Sequence, residues 1–427
     1  MVSLLRYLLY VLAFASSFFL SGCVSPKITP IPPLSAESPP TGIPIPPAPV
    51  PAAAPPAPAP PVPQPVSSYY PASQGPISLN AGPAPTSEDY PVLFGTTRQP
   101  LTDGKNGYSN KRDKILHYGR VFVTIPKNHQ TGSLGSEKGT NTGRDPKLKI
   151  RKYAPLRSEA EFLRMAAEKM PPVTGPNSSY VLVFIHGYNN SFDEAALRAA
   201  QFGYDLGVPK NDMFLFSWAA HQKIDEYTFD EATIDASEIY LREFLKTVER
   251  AADGRKIHLV AHSMGNRAAL RVIASSISDL NIHFGQIILA AADVDIDLFR
   301  QLAPNYLKIS DRTTIYISPY DYAVAASDLV HDYDRVGCGS KPHVFIPRID
   351  SIVSTIPEDL PAHAYFAEAL PVLTDIKNLL ERNQPERPPG DWKFITDKNG
   401  DNGYWIVGKP VVRRKIMCPP GFFLWPH

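Results

Sequence analysis

Ser263 is the residue of this 427-residue chain whose surroundings best fit a catalytic nucleophile. The apolar run at residues 257–261 predicts a buried strand, and Ala261-His262-Ser263-Met264-Gly265 leads from it into a helical pattern. A serine flanked by small residues at a strand-to-helix turn is typical of a nucleophile elbow. Its hydroxyl would project above a helix N-terminus, which favours developing negative charge. Ala261 stands where glycine is usual, and a methyl group is the smallest departure from that pattern.

A second apolar run, residues 180–185, ends in His186-Gly187-Tyr188. In a fold with a nucleophile elbow, the loop after this strand supplies one backbone N–H of the oxyanion hole. Gly187 allows the backbone to approach the substrate closely. The hole is therefore predicted to consist of the N–H groups of Tyr188 and Met264. Alone, the glycine would be an ordinary strand-to-loop residue. His186 is interpreted as structural, because it lies before the hole.

The acid and the base are expected after the serine, in the chain order serine, acid, histidine. A predicted strand at 313–317 is followed by Asp321, and a predicted strand at 344–349 is followed by a loop and then His363. His363 would accept the Ser263 proton and later deliver it to the leaving group. Asp321 would hold the histidine tautomer and stabilise the imidazolium.

Other residues compete for these two roles. Asp293 and Asp295 follow the predicted strand at 286–290, and the acid can lie on either loop at the carboxyl edge of the sheet. His331, in a polar loop, and His343, at the start of a strand, are poorer candidates for the base. The choice between Asp321 and the two earlier aspartates stays open on the sequence.

The elements that must position these residues are short apolar runs alternating with longer periodic ones, a pattern typical of a βαβ sheet. It predicts an α/β fold with a mostly parallel central sheet and helices on both faces. Residues 127–146 are predicted to form an exposed loop. Helices are predicted at 194–206, 241–252 and 363–380, and strands at 92–96, 120–125, 180–185, 213–217, 257–261, 286–290, 313–317 and 344–349.

Residues 1–22 read as a signal peptide. Arg6 precedes an apolar run at residues 8–20 that is too short to span a bilayer comfortably. Leu20-Ser21-Gly22-Cys23 resembles the lipobox of bacterial lipoproteins, which implies cleavage before Cys23 and a lipid on its sulfur. The alternative is a membrane anchor helix with an incidental cysteine. Val24, where aspartate would indicate inner-membrane retention, favours an outer-membrane address facing the periplasm.

Residues 23–89 are predicted to be a disordered, proline-rich linker. Residues 26–65 hold 18 of the 45 prolines, a composition that favours polyproline II and cannot build a core. At ~3.1 Å for each of roughly 40 residues, the linker would reach ~120 Å. A docking site for a proline-binding partner is the alternative. The net charge of +1 gives no electrostatic argument for a nucleic-acid partner.

Residues 385–427 form an aromatic extension, distinct from a hydrolase domain expected at 90–384. A turn at 397–401 is interpreted as the hairpin turn of a small β-rich appendage. It departs from a calcium loop at Asn402 and Gly408, so no metal is expected, and no cofactor is required. Cys338 and Cys418 remain if Cys23 is lipidated, and in an oxidising compartment they are predicted to form a disulfide. Two unpaired thiols are the alternative.

Seven segments, in this order, resemble the bacterial alpha/beta-hydrolase family of unknown function. The resemblance covers roughly residues 90–380 and implies the fold and the triad Ser263, Asp321 and His363, but no substrate. We expect hydrolysis of a small-molecule or lipid ester through an acyl-serine; a catalytically inactive scaffold or binding module in the envelope is the alternative. The segments are Val92-Leu93-Phe94-Gly95-Thr96-Thr97-Arg98, Phe184-Ile185-His186-Gly187-Tyr188-Asn189, Phe216-Ser217-Trp218, His262-Ser263-Met264-Gly265-Asn266-Arg267, Asp293-Val294-Asp295, Tyr320-Asp321 and His363-Ala364-Tyr365-Phe366.

Overall fold

A single mixed sheet runs through the residues that the structure describes. The computed structural model describes residues 87–102, 105–142, 144–168, 180–222, 226–331, 333–338, 345–356, 363–385, 387–396 and 403–408. The strands within these ranges are β1 (Glu88–Pro100), β2 (Tyr108–Ile125), β3 (Lys149–Leu156), β4 (Tyr180–Ile185), β5 (Met213–Ser217), β6 (Lys256–His262), β7 (Phe284–Ala290), β8 (Ser310–Ile317), β9 (Ile349–Ser354), β10 (Trp392–Thr396) and β11 (Gly403–Val407).

The order of the strands across the sheet is β10-β11-β9-β8-β7-β6-β4-β5-β1-β2-β3. The eight strands from β11 to β1 are parallel to their neighbours, whereas β2, β3 and β10 are antiparallel additions at the two edges. The carboxyl ends of the parallel strands therefore meet at one edge of the sheet, where ligand sites of open α/β sheets lie.

Helices cover both faces of this sheet, as the sequence predicts. In the described residues they are α1 (Glu137–Thr142), α2 (Glu159–Ala167), α3 (Phe192–Leu206), α4 (Tyr227–Ala236), α5 (Glu238–Ala252), α6 (Gly265–Leu280), α7 (Ile296–Leu302), α8 (Tyr306–Ile309), α9 (Tyr322–His331), α10 (Tyr365–Glu368) and α11 (Leu370–Arg382).

Neighbouring residues of β4 and β5 show the two-sided packing. Phe184 is aligned with Leu215, and its ring centroid lies 6.0 Å from that of Phe202 on α3. Phe216, the next residue of β5, points to the opposite face and lies 5.7 Å from Phe244 on α5. Burial on both faces explains why β4 and β5 are continuous apolar runs in the sequence.

The prediction of a strand at residues 344–349 is wrong. The strand in this region is β9, which begins at Ile349, and Val344 lies outside the described residues. Pro347 has no N–H for a ladder, and Arg348 has a φ of 69°, so the chain turns here, with the Ile349 N–H donating to the Ile346 carbonyl at 3.0 Å. Phe345 and Ile346 therefore lie before this turn, outside the strand.

The helix predicted at 363–380 is divided in two. Ala369, between α10 and α11, has an extended backbone with ψ of 113°, and Pro371 lies in the first turn of α11. Proline suits a first helical turn, but inside a continuous helix its ring would clash with the carbonyl four residues earlier, here that of Ala367. His363 therefore lies in the loop that precedes α10.

The loop predicted at 127–146 is only partly exposed. It contains the short helix α1, and His129 is buried, with its Nε2 2.7 Å from Asp205 Oδ1 on α3. The carboxylate of Asp205 also accepts the N–H of Gly132 at 2.7 Å. These bonds hold the segment against the domain.

The C-terminal extension contributes two strands to the central sheet. β10 and β11 pair antiparallel, with Thr396 opposite Gly403, so they are the arms of the predicted hairpin, although its turn at 397–401 lies outside the described residues. β11 also pairs parallel with β9, with Trp405 opposite Ile352. The strand-rich extension thus continues the hydrolase sheet at its edge.

Candidate active site

Ser263 occupies a strained turn between β6 and α6. Its φ is 52°, in the left-handed region that residues other than glycine rarely adopt, and the residue is buried. The Ser263 N–H donates to the carbonyl of Ala290 at the end of β7 (2.9 Å), and its own carbonyl accepts the N–H of Asp293 (3.2 Å). Asn266 Nδ2 donates to the carbonyls of Ala261, Ser263 and Ala290 at 3.0–3.1 Å. The surrounding backbone thereby fixes the strained conformation.

Close backbone approaches explain the small residues around the serine. A Cβ on Gly265 would lie 2.6 Å from the His186 carbonyl oxygen, and a Cβ on Gly187 would lie 2.6 Å from Ser263 Cβ. The loop after β4 is therefore in contact with the nucleophile. Ala261 is fully buried, and its methyl group is accommodated where glycine is usual.

The predicted oxyanion donors are the N–H groups of Met264, next to Ser263 in the chain, and of Tyr188, next to Gly187. Met264 directly precedes α6 and has helical backbone angles (φ −59°, ψ −22°), so its N–H belongs to a helix N-terminus, where intrahelical acceptors are absent. Tyr188 follows Gly187, and its carbonyl accepts Asn190 Nδ2 at 2.7 Å. Met264 is thus the chain neighbour of Ser263, and Tyr188 follows the glycine that contacts the serine, so the oxyanion hole of these two N–H groups stays a prediction.

Arg98, near the end of β1, is buried and supports residues 186–190, the predicted oxyanion loop. The sequence alone did not mark Arg98 as functional. Its NH2 donates to the Asn190 carbonyl at 2.6 Å, and its Nε donates to Ser217 Oγ at 3.0 Å. Burial lowers the pKa of Arg98 to about 9, against the opposing effect of Asp230. The available signal was its place at the end of the family-like segment Val92-Leu93-Phe94-Gly95-Thr96-Thr97-Arg98, just after the predicted strand at 92–96.

Asp230 on α4 holds the same loop from another side. Its carboxylate accepts the N–H of His221 at 2.7 Å and that of Asn189 at 3.4 Å. Burial raises the pKa of Asp230 to about 6. Asn189 itself has a φ of 57°, so the loop is shaped by a left-handed residue beside Tyr188. The sequence carried no signal that pointed to Asp230.

His186 is placed in a structural position, in line with its interpretation from the sequence. Its ring stacks on Trp218 at 5.2 Å with an angle of 6° between the planes, and Trp218 Nε1 donates to the His186 carbonyl at 2.9 Å. Burial and the nearby Arg98 lower the pKa of His186 to about 3. His186 is therefore held inside the domain, with its ring nitrogens 2.8 Å from the Gly187 carbonyl oxygen and 3.1 Å from that of Trp218.

Asp321 and His363 lie in direct contact. His363 Nδ1 is 2.8 Å from each carboxylate oxygen of Asp321, which is fully buried. Asp321 precedes α9, and its Oδ1 also accepts the N–H groups of Ala323 (3.1 Å) and Val324 (3.0 Å). The N-terminus of α9 thus holds the Asp321 carboxylate in place to accept the imidazole N–H.

The carboxylate changes the acidity of His363. Burial alone would lower the pKa of the imidazole, but the charge and hydrogen bond of Asp321 outweigh it, and the pKa of His363 is raised. Because Nδ1 is occupied by the acid, Nε2 is the ring atom left for proton exchange. This is the arrangement of a general base oriented by a buried acid.

The competing acids make other contacts. Asp293 accepts the hydroxyls of Tyr227 (2.5 Å) and Ser327 (2.6 Å) and faces Arg335 Nε at 3.6 Å. Asp295 accepts the N–H groups of Asp297 and Leu298 at the start of α7. The geometry thus pairs His363 with Asp321.

The other histidines considered for the base are placed elsewhere. His331 is the last residue of α9, not part of a loop as expected, and its Nε2 lies 3.0 Å from Glu231 Oε1. His343 lies outside the described residues. His331 is therefore held by Glu231 and not by Asp321.

The cysteine predictions reach beyond the described ranges. Cys338 is buried and disulfide-bonded, whereas Cys418 and the lipidation site Cys23 lie outside the described residues. The pairing of Cys338 with Cys418 and the lipid on Cys23 stay predictions. Among the described residues, no helix is long and apolar enough to cross a membrane, and no group of three His, Cys, Asp or Glu side chains is placed to hold a metal ion.

Comparison with known proteins agrees with the fold. No curated protein matches the chain. Residues 172–343 match the family model described as "Alpha/beta hydrolase of unknown function (DUF900)". The matched segment contains the oxyanion loop, Ser263 and Asp321, and it ends before His363. The resemblance drawn from the sequence is confirmed for residues 172–343, which match that family of unknown function, and the mostly parallel sheet with helices on both faces is the predicted alpha/beta-hydrolase fold.

Proposed function

We propose that this hydrolase cleaves carboxylic esters through a covalent acyl-Ser263 intermediate. The observation that carries the proposal is the His363–Asp321 pair, which leaves the ring nitrogen Nε2 for catalysis. The strained Ser263 turn, which lies against Gly187 of the predicted oxyanion loop, supports it. Serine, base, acid and oxyanion donors are the complete set that acyl transfer requires.

The residues would act in two half-reactions. His363 Nε2 takes the proton of the Ser263 hydroxyl as its oxygen attacks the ester carbonyl, and the N–H groups of Tyr188 and Met264 stabilise the oxyanion. Collapse of the tetrahedral intermediate breaks the ester C–O bond and releases the alcohol, which receives the proton from His363. Water then attacks the acyl-enzyme with the same base, and the carboxylic acid leaves. Asp321 stabilises the imidazolium in both halves.

Labelling by a fluorophosphonate probe tests the proposal directly. Wild-type protein should be labelled at Ser263 and should hydrolyse members of a series of acyl esters of graded chain length, whereas Ser263→Ala should lose both properties. Ser275→Ala, which changes an exposed serine of the same helix, is the matched control and should behave as wild type. Folded wild-type protein that neither labels nor turns over any ester would favour the inactive scaffold.

We further propose that a lipid on Cys23 tethers the enzyme to the outer membrane, facing the periplasm. Support comes from the sequence Leu20-Ser21-Gly22-Cys23 after a short apolar run, followed by the proline-rich linker. Wild-type protein should begin at Cys23, carry acyl mass on that residue and fractionate with membranes. A Cys23→Ser variant that is processed and fractionates as wild type does would contradict the tether.

A further inference from the structure

His262 lies between the nucleophile and the base, and no step proposed above uses it. It is the last residue of β6 and directly precedes Ser263. Its ring centroid lies 4.5 Å from that of His363, with 48° between the planes, and 4.6 Å from Phe366 on α10. The residue is buried. Its imidazole therefore fills the space between the strand that ends at the serine and the segment that carries the base.

One hydrogen bond joins these two segments. His262 Nε2 lies 3.0 Å from the backbone carbonyl oxygen of His363. A carbonyl only accepts, so His262 must donate from Nε2. Burial and the neighbouring His363 hold the pKa of His262 well below its ordinary value, which makes the ring neutral. The neutral tautomer is thus fixed with hydrogen on Nε2, and the bare Nδ1 is turned toward the oxyanion loop, 3.0 Å from where a Cβ on Gly187 would lie.

The contact matters because the carboxylate alone does not fix the base. Asp321 holds the His363 ring at Nδ1, but the ring also moves with its backbone. His363 lies in a loop before α10, outside any helix or strand that would hold its main chain. The His262 bond fixes that main chain at the carbonyl and connects it to the residue next to the nucleophile.

We propose that His262 is a positioning residue, whose Nε2–H holds the backbone of His363 so that the base stays aligned with both Asp321 and Ser263. This role rests on the proposed serine-hydrolase function. His262 exchanges no proton in the reaction; it acts through His363.

The charged groups around His262 and His363 determine how a change in the pKa of His363 is interpreted. Asp321 and Asp293 are the carboxylates that raise the pKa of His363. Burial lowers the pKa of His262 most, and the charges of His363, Arg198 and His186 lower it further, whereas the bond to the His363 carbonyl raises it. Arg198 is paired with Glu368 at 2.6 Å. A neutral substitution of His262 leaves all of these groups in place, so a change in the pKa of His363 would report altered geometry.

Three substitutions separate the hydrogen bond from the packing of the ring. His262→Phe keeps a ring against His363 and Phe366 but removes the donor. His262→Gln places an amide N–H near the position of Nε2. His262→Asn carries the same amide one methylene shorter and does not reach the carbonyl. We expect kcat for an ester substrate to fall by about 10- to 100-fold in the Phe and Asn variants with KM little changed, and the Gln variant to recover most of the loss.

A second readout does not depend on activity. The His363 imidazole is titrated by NMR in each variant, with its signals assigned by their absence in His363→Asn. The raised pKa of His363 should persist in wild type and His262→Gln, and it should fall toward the ordinary value in His262→Phe as contact with Asp321 loosens. Thermal midpoints measured alongside show whether a variant is folded.

The two readouts distinguish the possible failures. Equal kcat and equal His363 pKa in wild type and folded His262→Phe would overturn the positioning role. Loss of activity in the Phe, Gln and Asn variants alike, with an unchanged pKa, would also overturn it, because the ring rather than the donor would then matter. If wild type itself cleaves no ester, the proposed function fails, and the NMR titration still decides whether His262 holds His363.

Discussion

Gly187→Ala is the sharpest test of the oxyanion loop. The new Cβ would lie 2.6 Å from Ser263 Cβ, 3.0 Å from His262 Nδ1 and 3.2 Å from the His262 carbonyl oxygen. Carbon atoms in favourable contact are ~3.5–4.0 Å apart, so the loop must retreat from the serine by about 1 Å. The neighbouring Tyr188 N–H would retreat with it.

The size of the effect follows from that displacement. A misplacement of about 1 Å costs roughly 10²-fold in rate, and complete loss of one oxyanion donor costs ~10²–10³-fold. We therefore expect kcat to fall about 100-fold. KM should change little, because the donor acts on charge that develops in the transition state.

Steady-state kinetics with a chromogenic ester, corrected for the folded fraction, measures this loss. Gly119→Ala is the matched control, since its Cβ would meet the ring of Phe94 at 2.2 Å in the core between β1 and β2. It should lower the thermal midpoint without changing kcat of the folded enzyme. A folded Gly187→Ala enzyme that keeps kcat within about threefold of wild type would refute the assignment of this loop as the oxyanion hole.

Three further predictions concern the acid, the base and the tail. Asp321→Asn should lower kcat by up to ~10⁴-fold, because the amide favours the wrong tautomer of His363, whereas Asp293→Asn should act mainly on the thermal midpoint; the reverse ranking in kinetics would move the acid to Asp293. The profile of kcat/KM against pH should fall on the acid side with a pKa above the ordinary histidine value of ~6.5, since protonated His363 is not a base; an acid limb below that value would contradict the effect of Asp321. The raised pKa also means that the pair stabilises the fold fully below pH ~6.5, and that this contribution is lost as pH rises through the pKa of folded His363. Non-reducing mass spectrometry should find the peptides of Cys338 and Cys418 linked, a bridge that could contribute up to ~4 kcal/mol; both residues found as free thiols in protein from the periplasm would exclude it.

Local sequence pattern was sufficient where an element is buried on both faces. The observed bounds of β4 and β5 match the predicted ones. Each strand is a continuous apolar run bounded by polar residues, as expected for a central parallel strand. The elbow is also local, since small residues on each side of Ser263 follow from contacts within a single turn. These features need no knowledge of distant segments.

The prediction of helices and strands failed where a proline interrupted an apolar run or where charged residues concealed an edge strand. Pro347 turned an apolar run into a bend before β9, and Pro371 marked the break between α10 and α11. β3 escaped notice because it is an edge strand with exposed basic residues, and such a strand carries a weak alternation of polar and apolar positions.

Long-range polar contacts were beyond any local pattern. The bonds from Arg98 to Asn190 and from His262 to the His363 carbonyl join residues that only the sheet brings together. The sequence shows which polar residues are present, but which of them form hydrogen bonds with one another depends on the register of the parallel strands.

The base is the part of the site whose position depends most on such contacts. Ser263 is held by its own turn, and Asp321 is held by the N-terminus of α9 directly after β8. His363 itself lies in no helix or strand, and it lies beyond the segment that matches the family model. Its place is fixed by Asp321 at the ring and by His262 at the backbone. Substitutions at His262 should therefore disturb the base more than substitutions elsewhere around the triad that leave the Asp321 and Ser263 turns intact.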